Sequence, residues 1–191
     1  MSENKNKPLT PYQDFFYHHR PRLTGIAALI VIFFAQPTLE SLCLGSIIVI
    51  LGELGRTWSL GYIDKDAALA TTGPYAFTRN PLYVFNTMMF VGFCVMGNNL
   101  VPALIAAVIF IWIYIVVINI EAERMVDLFG DAYAKWSKHV PLFIPRLTPW
   151  KDRAKKAYSF SLMLRHKEPK HWLGTVVGLS IFYAIYYFQQ G

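Results

Sequence analysis

Apolar runs alternate with polar, cation-bearing stretches along the chain, and five of the runs have helical length. The first extends from about Leu23 to Pro37, where Pro37-Thr38 makes a tight turn. The second runs from about Leu39 to Leu60 and contains Glu53. The third opens at Pro81, a proline suited to the first turn of a helix, and continues to Met96 before the compact turn Gly97-Asn98-Asn99. The fourth, Leu100 to Ile120, is the clearest and has about the length needed to cross ~30 Å of hydrocarbon. The fifth, Trp172 to Phe188, is flanked by Trp172 and Tyr186-Tyr187, rings that suit headgroup-level belts. The pattern predicts an all-α, polytopic membrane bundle of about five transmembrane helices, with cytoplasmic amphipathic helices beside it.

Charge orients that prediction. Lys5, Lys7, Arg20 and Arg22 precede the first run, and Arg56, Lys65 and Arg79 cluster where the second gives way to the third. Arg124 through Lys170 lie between the fourth and fifth, while the opposite side holds short turns and Glu40. This positive-inside asymmetry predicts a cytoplasmic N-terminus, polar chemistry on the cytoplasmic face, and, with five spans, a C-terminus outside. The net charge of +6 therefore reads as contact with anionic headgroups, not with nucleic acid. Met1 to Thr10 is polar and lacks the apolar core of a secretory signal, so the first run is expected to stay as an anchor. Residues 151–170 hold seven Lys or Arg and are expected to bind the anionic leaflet. Cys43 and Cys94 both fall in apolar runs and read as small buried hydrophobes.

Two cytoplasmic segments carry more than linkage. Residues 61–81 contain GPYAFTRNPLY. Gly73-Pro74 predicts a turn. Asn80, preceding a proline, is turned away from helical torsions and is expected to cap the third helix. Arg79 and Asn80 then stand where free backbone N–H groups favour an anion, and Tyr75, Phe77 and Tyr83 supply ring faces for an adenine or a sulfonium. From the residues alone, an anion or nucleotide site and a plainly capped helix remain equally open. After the fourth run, Met125, Leu128, Phe129, Ala132, Tyr133, Trp136 and Val140 recur at offsets of three and four. That is one apolar helical stripe, expected to lie on the membrane or pack on the bundle, with a break at Gly130-Asp131.

Ionisable residues at the edges of apolar runs are the remaining candidates. Glu53 and Arg56 are spaced for an intrahelical pair. Glu121 and Arg124 close the fourth run together. The carboxylate can accept from hydroxyls or an ammonium, and the guanidinium can clamp a carboxylate, although a solvated helix turn has the same spacing. The histidines (His18, His19, His139, His166 and His171) do not have ligand spacing, and no metal site is expected. No G-x-G-x-x-G after a strand, P-loop, H-E-x-x-H or nucleophile elbow occurs.

GPYAFTRNPLYV resembles the GPY-x-x-x-RHP-x-Y signature of the isoprenylcysteine carboxyl methyltransferase family and its phospholipid N-methyltransferase relatives. Arg56-Thr57-Trp58 matches the Arg-x-Trp before that signature. EAERMVDLFGDAYAKWSKHVPLFIP resembles the segment that closes the family's domain. Order and spacing agree over roughly residues 40–147. The resemblance implies a helical membrane enzyme that uses S-adenosylmethionine without a Rossmann domain and accepts a lipidic or hydrophobic acceptor (carboxylate, amine or thiol) from the bilayer. Carried over by motif, Tyr75, Arg79, Asn80, Leu82 and Tyr83 would bind the cofactor, Glu121 would line the same pocket with a catalytic role, and Arg124 is an adjacent catalytic candidate. Two departures stand out. Asn80 replaces the signature histidine and cannot titrate near neutrality, and Ala122 follows Glu121 where the family has paired glutamates. The implied organisation is one membrane domain: a tail and first span (1–38), a methyltransferase-like core (39–147), and a basic segment with an extra span (148–191). The alternatives are an NADPH-dependent membrane reductase of the sterol-reductase type, usually longer, and a non-enzymatic membrane adaptor.

Overall fold

The computed structural model describes residues 9–64, 68–151, 156–166 and 168–190. They form six α-helices and no strand: α1 (Pro11–Phe33), α2 (Leu39–Leu60), α3 (Pro81–Gly97), α4 (Leu100–Ser137), α5 (Phe160–Arg165) and α6 (Glu168–Gln190). The helix starts are written locally. Thr10 and Gln13 form a reciprocal capping box at α1, and Thr38 and Ser41 form another at α2. Asn98 takes the left-handed conformation that closes α3.

Two boundaries differ from expectation. α1 starts at Pro11, far upstream of Leu23, and continues through Pro21, so Arg20 is carried inside a helix. α4 does not stop at Ile120. EAERMVDLF contains only residues compatible with a helix, so the rod continues, and the break falls at Gly130 (φ 48°, ψ −122°). One rod therefore carries the apolar fourth run together with Met125, Leu128 and Phe129 of the stripe, and Tyr133 and Trp136 follow the break.

α2 and α3 pack at very short range because glycines line their seam. A Cβ added at Gly45 would lie 2.6 Å from the carbonyl oxygen of Gly92, and one at Gly52 would lie 2.9 Å from that of Phe85. Small residues permit such backbone approach in apolar surroundings. Leu42, Val49, Met89 and Met96 fill the core beside this seam, and α6 adds Phe182 to it. Outward-facing positions stay apolar: Ile47, Leu51, Leu104, Val108, Ile111 and Val176 are all exposed. A surface of this kind marks contact with lipid or protein. By length and composition α4 and α6 can cross a membrane, while α3 is apolar but only 17 residues long.

Two smaller expectations change, and a third is decided between its two expected outcomes. Cys43 is exposed on α2, not buried. Glu53 and Arg56 do not form an intrahelical pair, because each turns to α6: Glu53 meets His171, and Arg56 meets Glu168. The stripe beyond the fourth run docks on protein, with Tyr133, Trp136 and Val140 buried against Tyr75. Of the basic 151–170 segment, residues 152–155 and 167 lie outside the described residues. The described part folds back on the end of α2, where the Ser159 amide donates to the Gly61 carbonyl (2.9 Å) and the His166 ring meets the Ile63 carbonyl (3.1 Å).

Candidate functional site

The signature segment leaves α2, turns through a short 3-10 helix (Gly73–Ala76) and enters α3 at Pro81. Gly73 adopts φ +58°, and a Cβ there would come within 2.5 Å of the Tyr62 ring. Residues 141–150 lace this segment in place. The Arg79 amide donates to the Pro141 carbonyl (2.9 Å), and the Arg146 and Trp150 amides donate to the carbonyls of Phe77 and Ala76 (2.9 Å each). Thr78 Oγ1 donates to the Phe143 carbonyl (2.9 Å). Asn80 occupies the position before α3, but its side chain does not cap the helix. Its Nδ2 donates instead to the Leu142 carbonyl (3.0 Å), because the returning chain offers an acceptor beside it.

A cavity of about 550 Å³ opens where this segment, α3 and the middle of α4 converge. That size suits a small-molecule ligand. Tyr75, Arg79, Asn80, Leu82, Tyr83, Glu121 and Arg124 all line it, so the structure brings the seven candidates together. Residues that sequence reasoning did not select line it as well: Arg20, Arg56, Tyr114, Trp136 and His171. Arg20 was legible only as a flanking charge, and His171 only as one of five scattered histidines.

Glu121 is held by two elements distant in sequence. Tyr83 donates to its Oε1 at 2.7 Å, and Arg20 reaches the same oxygen at 3.2 Å and the Tyr83 hydroxyl at 3.1 Å. Burial opposes the charge of Arg20. Tyr83 and Glu121 together outweigh it, holding the guanidinium pKa above its usual range. Arg79 donates to the Tyr133 hydroxyl (3.0 Å) and lies over the same ring (5.8 Å). Tyr83 and Tyr114 meet edge to face, with centroids 5.0 Å apart. Burial first, and Glu121 second, push the Tyr75 phenol well above its ordinary pKa, so it is a neutral donor.

Four buried side-chain polar atoms among the described residues have no hydrogen-bond partner: Arg56 Nε, Tyr75 Oη, Arg79 Nε and Trp136 Nε1. All four belong to residues that line this cavity. Buried donors are rarely left unsatisfied, because each costs about 1–3 kcal/mol. Their concentration in residues of one cavity wall is a feature that a ligand with acceptor groups would satisfy.

A second polar cluster lies behind one wall. Glu53 and Glu168 are fully buried, and their oxygens and a His171 nitrogen lie within 4.8 Å of one another. Distance alone would admit a cation. The carboxylates are instead met from within the protein. Glu168 accepts from Arg56 Nη2 and Thr57 Oγ1 (3.3 Å each), and Glu53 accepts from Thr175 Oγ1 (3.1 Å) and pairs with His171 Nδ1 (2.8 Å).

Comparison with known proteins bears on this site. A family model described as phospholipid methyltransferase matches residues 28–132, more than half of the chain. The cobalt-zinc-cadmium resistance protein CzcN of Cupriavidus metallidurans is 31% identical over 142 residues, 73% of this chain and 64% of that protein. The nickel-cobalt-cadmium resistance protein NccN of Alcaligenes xylosoxydans xylosoxydans is 33% identical over 115 residues, 59% of this chain and 54% of that protein. The protein-S-isoprenylcysteine O-methyltransferase of Schizosaccharomyces pombe is 33% identical over 82 residues, 43% of this chain and 35% of that protein. The chain thus matches less than two thirds of the length of each of these relatives. No solved structure matches.

Proposed function

Because the chain belongs to the phospholipid methyltransferase family, we propose that it binds S-adenosylmethionine in the cavity between α3 and α4 and directs methyl transfer to a hydrophobic acceptor from the bilayer. The observation that carries this reading is the set of four unpartnered buried donors around one cavity. An adenine, a ribose and a carboxylate present many acceptors, and the residues that line the cavity carry donors. When bound, the sulfonium supplies an activated methyl group, so the protein's task is alignment and exclusion of water.

The residues fit those demands. Arg79 and Arg124 are suited to the carboxylate of the methionine moiety. Glu121, fixed by Tyr83 and Arg20, is suited to ribose hydroxyls or the ammonium. Tyr75, Tyr83, Tyr114 and Trp136 offer ring faces to the adenine and the sulfonium. The lining carries Arg20, Arg79 and Arg124 beside Asp64 and Glu121, while Arg56 turns to Glu168, and the guanidinium groups suit an anionic ligand group. On this reading, a phenotype like the metal resistance for which two relatives are named would follow from a methylated product, not from ion transport.

The same proposal includes topology. All five apolar runs enter the bilayer, the shorter ones sharing it with α4 and α6, and the cavity faces the cytoplasm where the arginines gather. Calorimetric titration of the protein in nanodiscs with S-adenosylmethionine tests the reading. We expect saturable binding together with labelled-methyl incorporation into an extractable lipid-phase product. Absence of heat with S-adenosylmethionine, or stabilisation by NADPH alone in a thermal melt, would reject it.

A further inference from the structure

We propose that His171 is the general base of this site, held by Glu53, and that the methyl acceptor is therefore an amine or thiol that must lose a proton, not a carboxylate. This rests on the methyltransferase reading above and adds the class of substrate to it.

α6 contributes a side chain to the cavity. His171 lines it, although α6 lies beyond the matched family region. Nδ1 sits 2.8 and 3.0 Å from the two oxygens of Glu53, and Glu53 is fully buried. Thr175 Oγ1 donates to Glu53 from one turn further along α6, fixing the carboxylate. A carboxylate on Nδ1 selects the tautomer with its proton there and leaves Nε2 as the basic nitrogen. No other described residue bonds to Nε2.

The alternatives in the cavity are worse placed. The Oε1 of Glu121 already accepts from Tyr83 and Arg20. Asn80 does not titrate and is tied to Leu142. The charges around His171 come from Glu53 and Arg56 on α2 and from Glu168 on its own helix, with Arg20, Asp64 and Glu121 across the cavity. Glu53 and Glu168 are both fully buried: Arg56 pairs with Glu168, and His171 with Glu53.

The step balances simply. The acceptor's N–H or S–H proton passes to Nε2 of His171, and the freed electron pair forms the new bond to the methyl carbon. The C–S pair stays with sulfur, giving a neutral thioether. The imidazolium returns its proton to water, for which the ring is placed, its side chain being 40% exposed. A carboxylate acceptor arrives ionised and would not need this group.

The test uses the full chain in nanodiscs of phosphatidylcholine and phosphatidylglycerol, with dodecanethiol, dodecylamine and dodecanoate as acceptors. We expect methylation of the thiol or the amine. His171→Gln should lower that rate at least ~100-fold and abolish the acid limb of its pH profile, with S-adenosylmethionine affinity by calorimetry within about twofold of the parent. Glu53→Gln, altering a positioning residue, should keep the limb and lower the plateau. The assignment is overturned if His171→Gln retains the rate and the limb, if dodecanoate is the sole acceptor, if none of the three is methylated by protein that binds S-adenosylmethionine, or if activity is lost to a chelator and restored by zinc. Failure to bind S-adenosylmethionine at all would instead overturn the methyltransferase reading itself.

Discussion

The Tyr83 hydroxyl lies 2.7 Å from Glu121 Oε1, which joins the first turn of α3 to the middle of α4 across 38 residues of sequence. Arg20 closes a triangle with both, so three helices converge on one carboxylate. If Glu121 engages the ribose or ammonium of the cofactor, its orientation matters as much as its charge. Tyr83→Phe removes one of its two partners and should weaken S-adenosylmethionine binding by roughly 5–30-fold, the equivalent of about 1–2 kcal/mol. Glu121→Gln should weaken it further. Calorimetry on detergent-purified protein reads both, and an unchanged affinity in both variants would remove Glu121 from the ligand's surroundings.

Tyr75 shows the opposite relation between stability and function. Its buried hydroxyl has no partner within the protein, so Tyr75→Phe should leave the melting temperature unchanged or raise it while weakening S-adenosylmethionine binding. Trp136→Phe, which removes a second orphan, should act in the same sense on binding. The phenol also has a pH signature. Its folded pKa is raised by burial and by Glu121, whereas an unfolded tyrosine ionises near 10. As pH rises past about 10 the unfolded chain loses this proton first, so stability present at neutral pH declines on the alkaline side. Thermal melts across that range should show a shallower decline in Tyr75→Phe than in the parent.

Much of this arrangement was written in the chain. The apolar runs and the turn residues between them gave the all-helical class and the starts of α2, α3 and α4, because periodicity and turn chemistry are local. The seven candidate residues converge on one cavity because the signature turn and the α4 stripe are themselves local structures that dock through aromatic faces. Pairing across elements was not legible. Glu53 and Arg56 have ideal spacing for each other, yet both turn to α6, since a buried charge takes whichever partner tertiary packing presents. Arg20 read as a flanking charge because nothing local says that α1 runs back over the cavity. His171 lay in a segment without the signature's spacing, and no periodicity links it to Glu53.

Asn80 offers a direct probe of the departure from the family signature. Its Nδ2 holds the Leu142 carbonyl at 3.0 Å, one of several bonds lacing residues 141–150 to the signature turn. Asn80→Ala should cost about 1 kcal/mol of stability, the usual net value of one such bond. Asn80→His can donate from Nδ1 to the same carbonyl and should recover most of that loss. Melting temperatures of the three proteins in one detergent test this. A histidine variant as destabilised as the alanine one would show that the site no longer accommodates the family residue.

The seam between α2 and α3 sets the position of everything above it, because Arg56 and Tyr83 stand at its cytoplasmic end by the proposed topology. Gly52 faces the Phe85 carbonyl so closely that a Cβ would lie 2.9 Å from that backbone oxygen and 2.6 Å from Met89 Cγ. Backbone cannot yield as a flexible side chain can. Gly52→Ala should therefore destabilise by about 1–3 kcal/mol despite alanine's better helix propensity, and Gly52→Leu by more. Because Arg56 lies one turn further along α2, the displacement should also reach the cavity and weaken S-adenosylmethionine binding. Gly25, whose added Cβ would meet nothing within 4 Å, is the control: Gly25→Ala should be neutral or stabilising by up to ~1 kcal/mol. Equal melting temperatures for the Gly52 and Gly25 variants would show that the seam is looser than these distances require.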